Sequence, residues 1–259
     1  TSSTKRLEGR CHSMTEPKLY PLGDQALTVQ FGDKIDPAIN QRVRIMAETL
    51  TRRKIPGVLE LVPAFCSLTV YYDPLTIKYG DLVMELRRLA SLAGPAEEKN
   101  GRLLKIPCCY GARFGPDLRD MEKHTGLDRD EIIAIHSSAY YKVYMLGFLP
   151  GFVYLGGLDQ RLHIPRLSVP RVKIPKGAVG IGGSQTGVYP LDSPGGWRLI
   201  GGTPVDFYDP NRAEPVLCRA GDYIRFVPVS ILDYYDIRQM MLRGTYKIEV
   251  IERWNASCA

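Results

Sequence analysis

A glycine-rich stretch at residues 181–197 constrains the fold more than any other part of the chain. It reads IGGSQTGVYPLDSPGGW, with five glycines, two prolines and one charged residue. A Walker-type phosphate loop requires a Gly-Lys-Ser/Thr ending that the stretch lacks. A dinucleotide fingerprint fails as well, because Gln185 stands where the third glycine would follow Gly180 and Gly182. The aliphatic and aromatic residues between the glycines argue against a disordered linker, so we interpret the glycines as barrel corners.

The surrounding segment also predicts β structure. Between Gly147 and Pro210 the helical period is absent, and short apolar runs alternate with Gly and Pro. This spacing, about eight to twelve residues, is typical of barrels and sandwiches. Strand-like runs and a helix over 127–139, capped by Asp128, precede it, and a late helix over 231–244 and a strand over 246–252 follow it. Residues 102–259 are therefore predicted to form a mostly-β domain.

The N-terminal part follows a different pattern. The segment ALTVQFG alternates apolar and polar residues as a half-buried strand does, and SLTVYYD repeats this period. Between and after these strands we predict two helices, the first capped by Asp36 with Pro37 at its first position. Residues 14–93 are therefore predicted to form a small α+β domain, with a leader at 1–13 and a linker at 94–101.

Several polar residues of the glycine-rich stretch are candidates for binding a ligand. Binding groups concentrate on loops that a rigid β scaffold holds in place. The alternative is that these side chains only complete the barrel. The candidates are Gln185, Thr186, Tyr189, Ser193 and Trp197.

Three cations just upstream form a second candidate set. Arg166, Arg171 and Lys176 each lie beside Pro or Gly, and their spacing suits an anion such as phosphate or carboxylate. Charges on a solvated loop are the alternative. His136 falls at the end of the predicted helix, where it could act as an acid or base or simply cap the helix.

Other classes of function are weakly supported. The net charge of +6 includes no block of Lys or Arg, which disfavours nucleic-acid binding. The six cysteines form no C-x-x-C pair, and no catalytic triad or zinc motif is present. Because several cysteines lie in apolar, strand-like runs, we expect a reduced, cytoplasmic protein, and the missing motifs predict no metal site. No apolar run approaches the length of a membrane span.

Two long segments resemble a known family. They are IHSSAYYKVYMLGFLPGFVYLGGL (135–158) and IPRLSVPRVKIPKGAVGIGGSQTGVYPLDSPGGWRLIGGTP (164–204). Both are similar to the KipI/PxpB family, also called allophanate hydrolase subunit 1, and the N-terminal YPLGDQALTVQFGDKID is similar to the first domain of that family. The resemblance implies a small α/β domain followed by a cyclophilin-like β-barrel domain. It implies no isomerase activity, because a fold does not carry a function.

The resemblance also implies an activity. Members of the family include the B component of an ATP-dependent 5-oxoprolinase, which converts 5-oxo-L-proline to L-glutamate together with a PxpC/KipA-like partner (allophanate hydrolase subunit 2) and a PxpA-like subunit. ATP would then be bound jointly with a partner subunit. Other members inhibit a sporulation histidine kinase or form part of the carboxyltransferase region of urea amidolyase, and both alternatives stay open here.

If the chain is a component of such an enzyme, the candidate residues divide into catalytic and ligand-binding groups. His136, Arg166, Arg171 and Gln185 are the expected catalytic residues. The expected substrate- or nucleotide-binding residues are Phe152, Lys176, Thr186, Tyr189, Ser193, Trp197 and Thr203. Phe152 and Trp197 would exclude water from the pocket. The chain departs from many relatives at Lys176, where they carry Ala, and at Gly202, where they carry Arg.

Overall fold

The computed structural model describes residues 16–92 and 100–254 of the chain. The chain divides into two compact units, residues 1–96 and 97–259. The leader expected at 1–13 lies outside the described residues, as does most of the linker expected at 94–101. Both expectations therefore stay predictions.

Over residues 16–92, the first unit contains a four-stranded antiparallel sheet and two helices. Its strands lie side by side in the order β1-β2-β4-β3, and the apolar positions of β2 and β4 share one core with those of the helices. The elements are β1 (Lys18–Pro21), β2 (Ala26–Gln30), α1 (Pro37–Arg53), β3 (Val58–Pro63), β4 (Ser67–Tyr72) and α2 (Tyr79–Leu92).

The start of α1 follows from local sequence chemistry. The Asp36 carboxylate accepts hydrogen bonds from the backbone N–H groups of Ala38 and Ile39, at 2.8 and 3.1 Å. Pro37 occupies the first turn, where no N–H donor is needed. The cap predicted for this helix is confirmed.

The second unit is a barrel with helices around it. Seven of its described strands pair in the order β12-β9-β10-β7-β6-β13-β5, and a further pairing of β12 with β5 closes the ring. The elements are β5 (Gly101–Tyr110), α3 (Leu118–Thr125), α4 (Arg129–Ser138), β6 (Tyr141–Leu146), β7 (Val153–Gly156), β8 (Arg171–Ile174), β9 (Ala178–Gly182), β10 (Gln185–Val188), β11 (Ser193–Gly195), β12 (Arg198–Gly202), β13 (Tyr223–Pro228), α5 (Ile231–Leu242) and β14 (Glu249–Trp254).

Two differences from the sequence prediction concern element boundaries. The short helix α3 was not predicted, because its eight residues include five charged or histidine side chains and only two buried positions. The final strand begins at Glu249, although an apolar-polar alternation is already present from Tyr246. Asp128 caps α4 with a full capping box to Glu131, as the sequence indicates.

The glycine-rich stretch forms strands more than corners. Gly183, with a φ of +67°, makes the turn between β9 and β10, but Gly182 and Gly187 lie within those strands. A Cβ atom on Gly182 would lie 2.5 Å from the Trp197 ring, and one on Gly187 would lie 3.0 Å from it. The expectation of barrel corners is therefore wrong for these two glycines. They make room for a buried indole.

Candidate functional site: a cationic groove on the barrel

A cavity of about 420 Å³ opens on the barrel unit. Four cationic side chains line it together with aromatic rings and glycines. We call it the cationic groove and define it by Arg113, Phe114, Arg171, Lys173, Lys176, Gly202 and Tyr234.

The β8 strand and the turn after it supply three of the four cations. Arg171 and Lys173 are two residues apart in β8, so their side chains project to the same side of the strand. Lys176 follows in the turn into β9. This turn passes close to the barrel at Gly177, whose φ is +84° and whose Cβ, if present, would lie 2.5 Å from the Thr203 carbonyl oxygen. Only glycine fits there without strain.

The Arg171 side chain is fixed by a buried carboxylate. Its guanidinium donates to Oδ1 of Asp117 at 2.6 Å and to the carbonyl oxygen of Trp197 at 3.3 Å. The other oxygen of Asp117 accepts the backbone N–H of Leu199 at 2.6 Å. Asp117, which directly precedes α3, therefore binds Arg171 with one carboxylate oxygen and strand β12 with the other.

The two lysines also have carboxylate partners. Lys173 lies 2.7 Å from Asp192, and Lys176 lies 2.9 Å from Asp206, which also binds Arg238 at 2.8 Å. Burial by itself would raise the pKa of Asp206. The hydrogen bonds from Lys176 and Arg238 outweigh that effect, so the pKa lies below its ordinary value and the carboxylate stays charged.

Arg113 differs from the other groove cations. It forms no ion pair with a carboxylate in residues 16–92 or 100–254. Instead it donates to the Tyr235 hydroxyl at 2.7 Å and lies 5.5 Å from the centre of the Phe114 ring. The four lining cations and Arg238, which lies outside the lining, have three aspartate partners among the described residues, and these aspartates also lie outside the lining. Five cations against three carboxylates leave two positive charges in excess.

A buried aromatic cluster lies behind one wall of the groove. Phe152, Tyr189 and Trp197 are almost fully buried, and the rings meet edge to face at 5.3 to 6.2 Å between centres. Arg166 lies over the Trp197 ring at 5.8 Å and is not part of the groove lining. Phe152 and Trp197 belong to this buried cluster and are absent from the groove lining, so the role expected for them in excluding water from the pocket stays a prediction.

His136 and Thr186 are bonded to each other in the core. Thr186 donates its hydroxyl to the Gly180 carbonyl, so it accepts from Nε2–H of His136 at 2.9 Å. Nδ1 of His136 then accepts from the Tyr110 hydroxyl at 2.7 Å. Burial lowers the pKa of His136 to about 3, so the imidazole is neutral at pH 7. Both side chains are completely buried and neither lines the groove, so the roles expected for His136 as an acid or base and for Thr186 as a binding residue stay predictions.

The remaining candidates lie outside the groove lining. Gln185 begins β10 and is half-buried. Ser193 lies in β11, and its buried hydroxyl has no hydrogen-bond partner among the described residues. Thr203 is buried and accepts the backbone N–H of Val205 at 3.2 Å. Of the eleven residues expected at the site, the groove lining contains Arg171 and Lys176.

Sequence reasoning missed most of the groove. Arg113 and Phe114 lie in a short loop after β5, and Tyr234 lies on α5, more than a hundred residues later. No local spacing connects these segments. The spacing of cations beside Pro and Gly pointed to Arg171 and Lys176, and a second signal was the departure at Lys176 and Gly202, because both positions line the same cavity.

The groove side chains suit anions. Within residues 16–92 and 100–254 no three His, Cys, Asp or Glu side chains are grouped so that they could hold a metal ion. None of the helices described there is long and apolar enough to cross a membrane. Guanidinium and ammonium groups beside an aromatic wall can bind a carboxylate or phosphate and offset its charge.

Comparisons with known proteins identify the family. Residues 17–218 match the model of the carboxyltransferase domain, subdomain C and D. The chain is 44% identical over 234 residues to a protein of Bacillus subtilis named as the B component of 5-oxoprolinase, covering 86% of this chain and 97% of that one. A protein of Escherichia coli O157:H7 with the same name is 41% identical over 216 residues, covering 83% of this chain and 97% of that one.

A solved structure shows the same fold within a much larger protein. The urea amidolyase of Kluyveromyces lactis aligns with 91% of this chain at a TM-score of 0.80 and 22% identity. That alignment covers 16% of the larger chain, so it supports the fold alone. Together, the family model and the two bacterial relatives show that this chain belongs to the KipI/PxpB family of carboxyltransferase-type subdomains C and D.

Proposed function

We propose that the chain is the B component of an ATP-dependent 5-oxoprolinase, which opens 5-oxo-L-proline to L-glutamate with ATP hydrolysis. The similarity to two bacterial proteins of that name supports the proposal, because it extends over 97% of each of them. The partners would be a PxpC/KipA-like subunit and a PxpA-like subunit. The site would be shared with at least one of them.

The cationic groove is the observation that carries the proposal. A lactam carbonyl is a poor electrophile. If its oxygen attacks the γ-phosphate of ATP and ADP leaves, the phosphorylated carbon becomes electrophilic enough to add water; the ring C–N bond then breaks, and the resulting acyl phosphate is hydrolysed to L-glutamate and phosphate. The phosphoryl transfer places negative charge on the transferred phosphoryl group and on the departing ADP, so it needs fixed cations. The groove holds two positive charges in excess, and its paired cations are already oriented by Asp117, Asp192 and Asp206.

Proton transfer is assigned to a partner subunit or to the substrate itself. His136 is neutral and enclosed by Tyr110 and Thr186, so it does not reach a ligand in the groove. The described lining of the groove contains cations, aromatic rings, prolines, glycines and aliphatic residues. It offers binding and charge stabilisation but no carboxylate or imidazole as a general base.

The test is turnover in a reconstituted complex. The full chain, mixed with its PxpA-like and PxpC-like partners, is expected to hydrolyse ATP only when 5-oxoproline is present. The double variant Lys173→Ala/Lys176→Ala should lower this rate at least tenfold, because two of the groove cations are removed. Lys105→Ala is the matched control, since Lys105 pairs with Glu249 on another face of the barrel unit. Absence of ATP hydrolysis in a complex that assembles would contradict the proposal, as would equal losses in the groove variant and the control.

A further inference from the structure

Arg113 is the groove cation whose charge is not balanced by a carboxylate among the described residues. Each of the other three lies within 3 Å of an aspartate oxygen. Arg113 is exposed, yet its position is defined by the faces of Phe114 and Tyr235, at 5.5 and 5.9 Å from the ring centres, and by one hydrogen bond to the Tyr235 hydroxyl. The remaining guanidinium N–H groups are free to meet a ligand.

Helix α5 holds this arrangement together. No residue of the helix is buried, although a capping box between Ser230 and Asp233 stabilises its first turn. Its side-chain contacts lead to the groove. Tyr234 packs on Phe114 with 4.3 Å between ring centres, and Tyr235 accepts the hydrogen bond from Arg113.

The third contact of α5 reaches a groove counterion. Arg238 binds Asp206 at 2.8 Å, and Asp206 is also the partner of Lys176. A helix that buries none of its own residues but contacts two lining residues and one counterion acts as a positioning element for the groove. The contacts of the helix thus lie with the groove residues and their counterion, while none of its own side chains is buried in the barrel core.

The charge balance indicates the class of ligand. Arg171 and Lys173 each face one aspartate, and Asp206 is shared by Lys176 and Arg238, so the excess charge comes from Arg113 and from that shared aspartate. A dianion balances two charges, whereas a monocarboxylate leaves one unbalanced. A guanidinium also binds two phosphate oxygens at once in its fork geometry.

We propose that Arg113 directly contacts a phosphate dianion in the groove, and that Tyr235 is a positioning residue that orients the Arg113 guanidinium. The inference extends the proposed function, since it names the ligand class of the same groove. The phosphate dianion could belong to the phosphate chain of a nucleotide or to free inorganic phosphate. Both present the same doubly charged group to the arginine.

The experiment measures binding to the full chain without partner subunits. Isothermal titration with inorganic phosphate, with ATP and with acetate at matched ionic strength is expected to show phosphate or ATP binding and no comparable acetate binding. Arg113→Gln should weaken the binding at least about tenfold, because a charge-assisted hydrogen bond is lost. Arg113→Lys should recover part of this loss, since the charge returns without the fork.

Two further variants separate positioning from general damage. Tyr235→Phe keeps the ring and removes only the hydroxyl, so a loss of about threefold is expected from the freed arginine. Arg119→Gln is the matched control, because Arg119 is an exposed arginine on α3 outside the groove lining. Stronger binding of ATP than of phosphate assigns the site to a nucleotide, and the reverse assigns it to the free anion.

The proposal is overturned if Arg113→Gln binds phosphate and ATP as the unmodified chain does. It is also overturned if acetate binds equally well or if neither phosphate nor ATP binds. Loss of turnover in the reconstituted complex would not affect it, because binding is measured on this chain alone. Conversely, if Arg113→Gln binds phosphate and ATP as the unmodified chain does while the reconstituted complex turns over, the proposed function stands and only this assignment is removed.

Discussion

Arg171 and Asp117, 54 residues apart in the chain, form a 2.6 Å ion pair at the edge of the cationic groove. Asp117 is 5% exposed and accepts the Leu199 backbone N–H with its second oxygen. The pair therefore fixes a groove cation and the adjacent strand β12 at the same time. A ligand that meets this arginine meets a side chain that is already oriented.

Asp117→Ala is expected to destabilise the protein. The substitution leaves the Leu199 N–H without its acceptor and leaves a partly buried arginine without its carboxylate. We expect a loss of about 2–4 kcal/mol in the free energy of unfolding, measured by urea denaturation. Asp120→Ala is the control, since Asp120 is half exposed and its pair with Arg198 should contribute less than about 1 kcal/mol. Equal effects of the two substitutions would contradict the role given to Asp117.

His136 is expected to make the protein less stable in acid. Its pKa in the folded chain is lowered by burial to about 3, from an ordinary value of 6.5. Below pH 6.5, His136 therefore binds a proton in the unfolded chain but stays neutral in the folded chain. The stability that this difference contributes is complete above pH 6.5 and is lost as the pH falls from 6.5 towards 3, at about 1.4 kcal/mol per pH unit.

Urea denaturation at pH 7.5, 6 and 5 tests this dependence. His136→Gln removes the titrating group, so its free energy of unfolding should fall less steeply between pH 6 and 5 than that of the unmodified chain. Nitrogen NMR gives a second measurement, in which the His136 imidazole should stay neutral with the proton on Nε2 at pH 5. A protonated signal at pH 5, or identical slopes for the two chains, would refute the prediction.

Gly182→Ala is expected to disturb the packing of Trp197. The added Cβ would lie 2.5 Å from the indole ring, which is buried and has little room to move. We expect a loss of about 1–3 kcal/mol and a change in tryptophan fluorescence. Gly80→Ala is the control, because a Cβ on this residue of helix α2 meets no atom within 4 Å and alanine favours the helix. Loss of stability in the control alone would show the steric argument to be wrong.

Lys176→Ala should affect ligand binding more than stability. Asp206 keeps Arg238 as a partner, so the change in the free energy of unfolding should stay below about 1 kcal/mol. The groove loses one of its two excess charges, and phosphate binding should weaken several-fold and become less sensitive to salt. Titration calorimetry at two ionic strengths measures both effects, with Lys105→Ala as the control. Unchanged affinity in Lys176→Ala would exclude this lysine from the binding site.

The two halves of the glycine-rich prediction had different outcomes. Recurring Gly and Pro indicated a β barrel, and the barrel is present because alternation and chain reversal are local properties. The prediction that the polar residues between the glycines bind a ligand stays a prediction. The structure places Thr186 away from the groove lining and against His136, which lies 50 residues away in the chain and bonds to its hydroxyl in the core.

By itself, the sequence determined the β character of the second unit, the caps of α1 and α4 and the family, since each depends on residues that are close together in the chain. The cap of α1 at Asp36 and the capping box of α4 at Asp128 are examples. Only the tertiary structure decided which cations share a site. Arg113, Arg171 and Tyr234 come from three distant segments, and closure of the barrel between β5 and β12 with α5 packed beside it brings them together. The charge and aromatic character of each residue are known from the sequence. The electrostatic field that a ligand meets in the groove depends on the distances between these side chains, which are set only by folding.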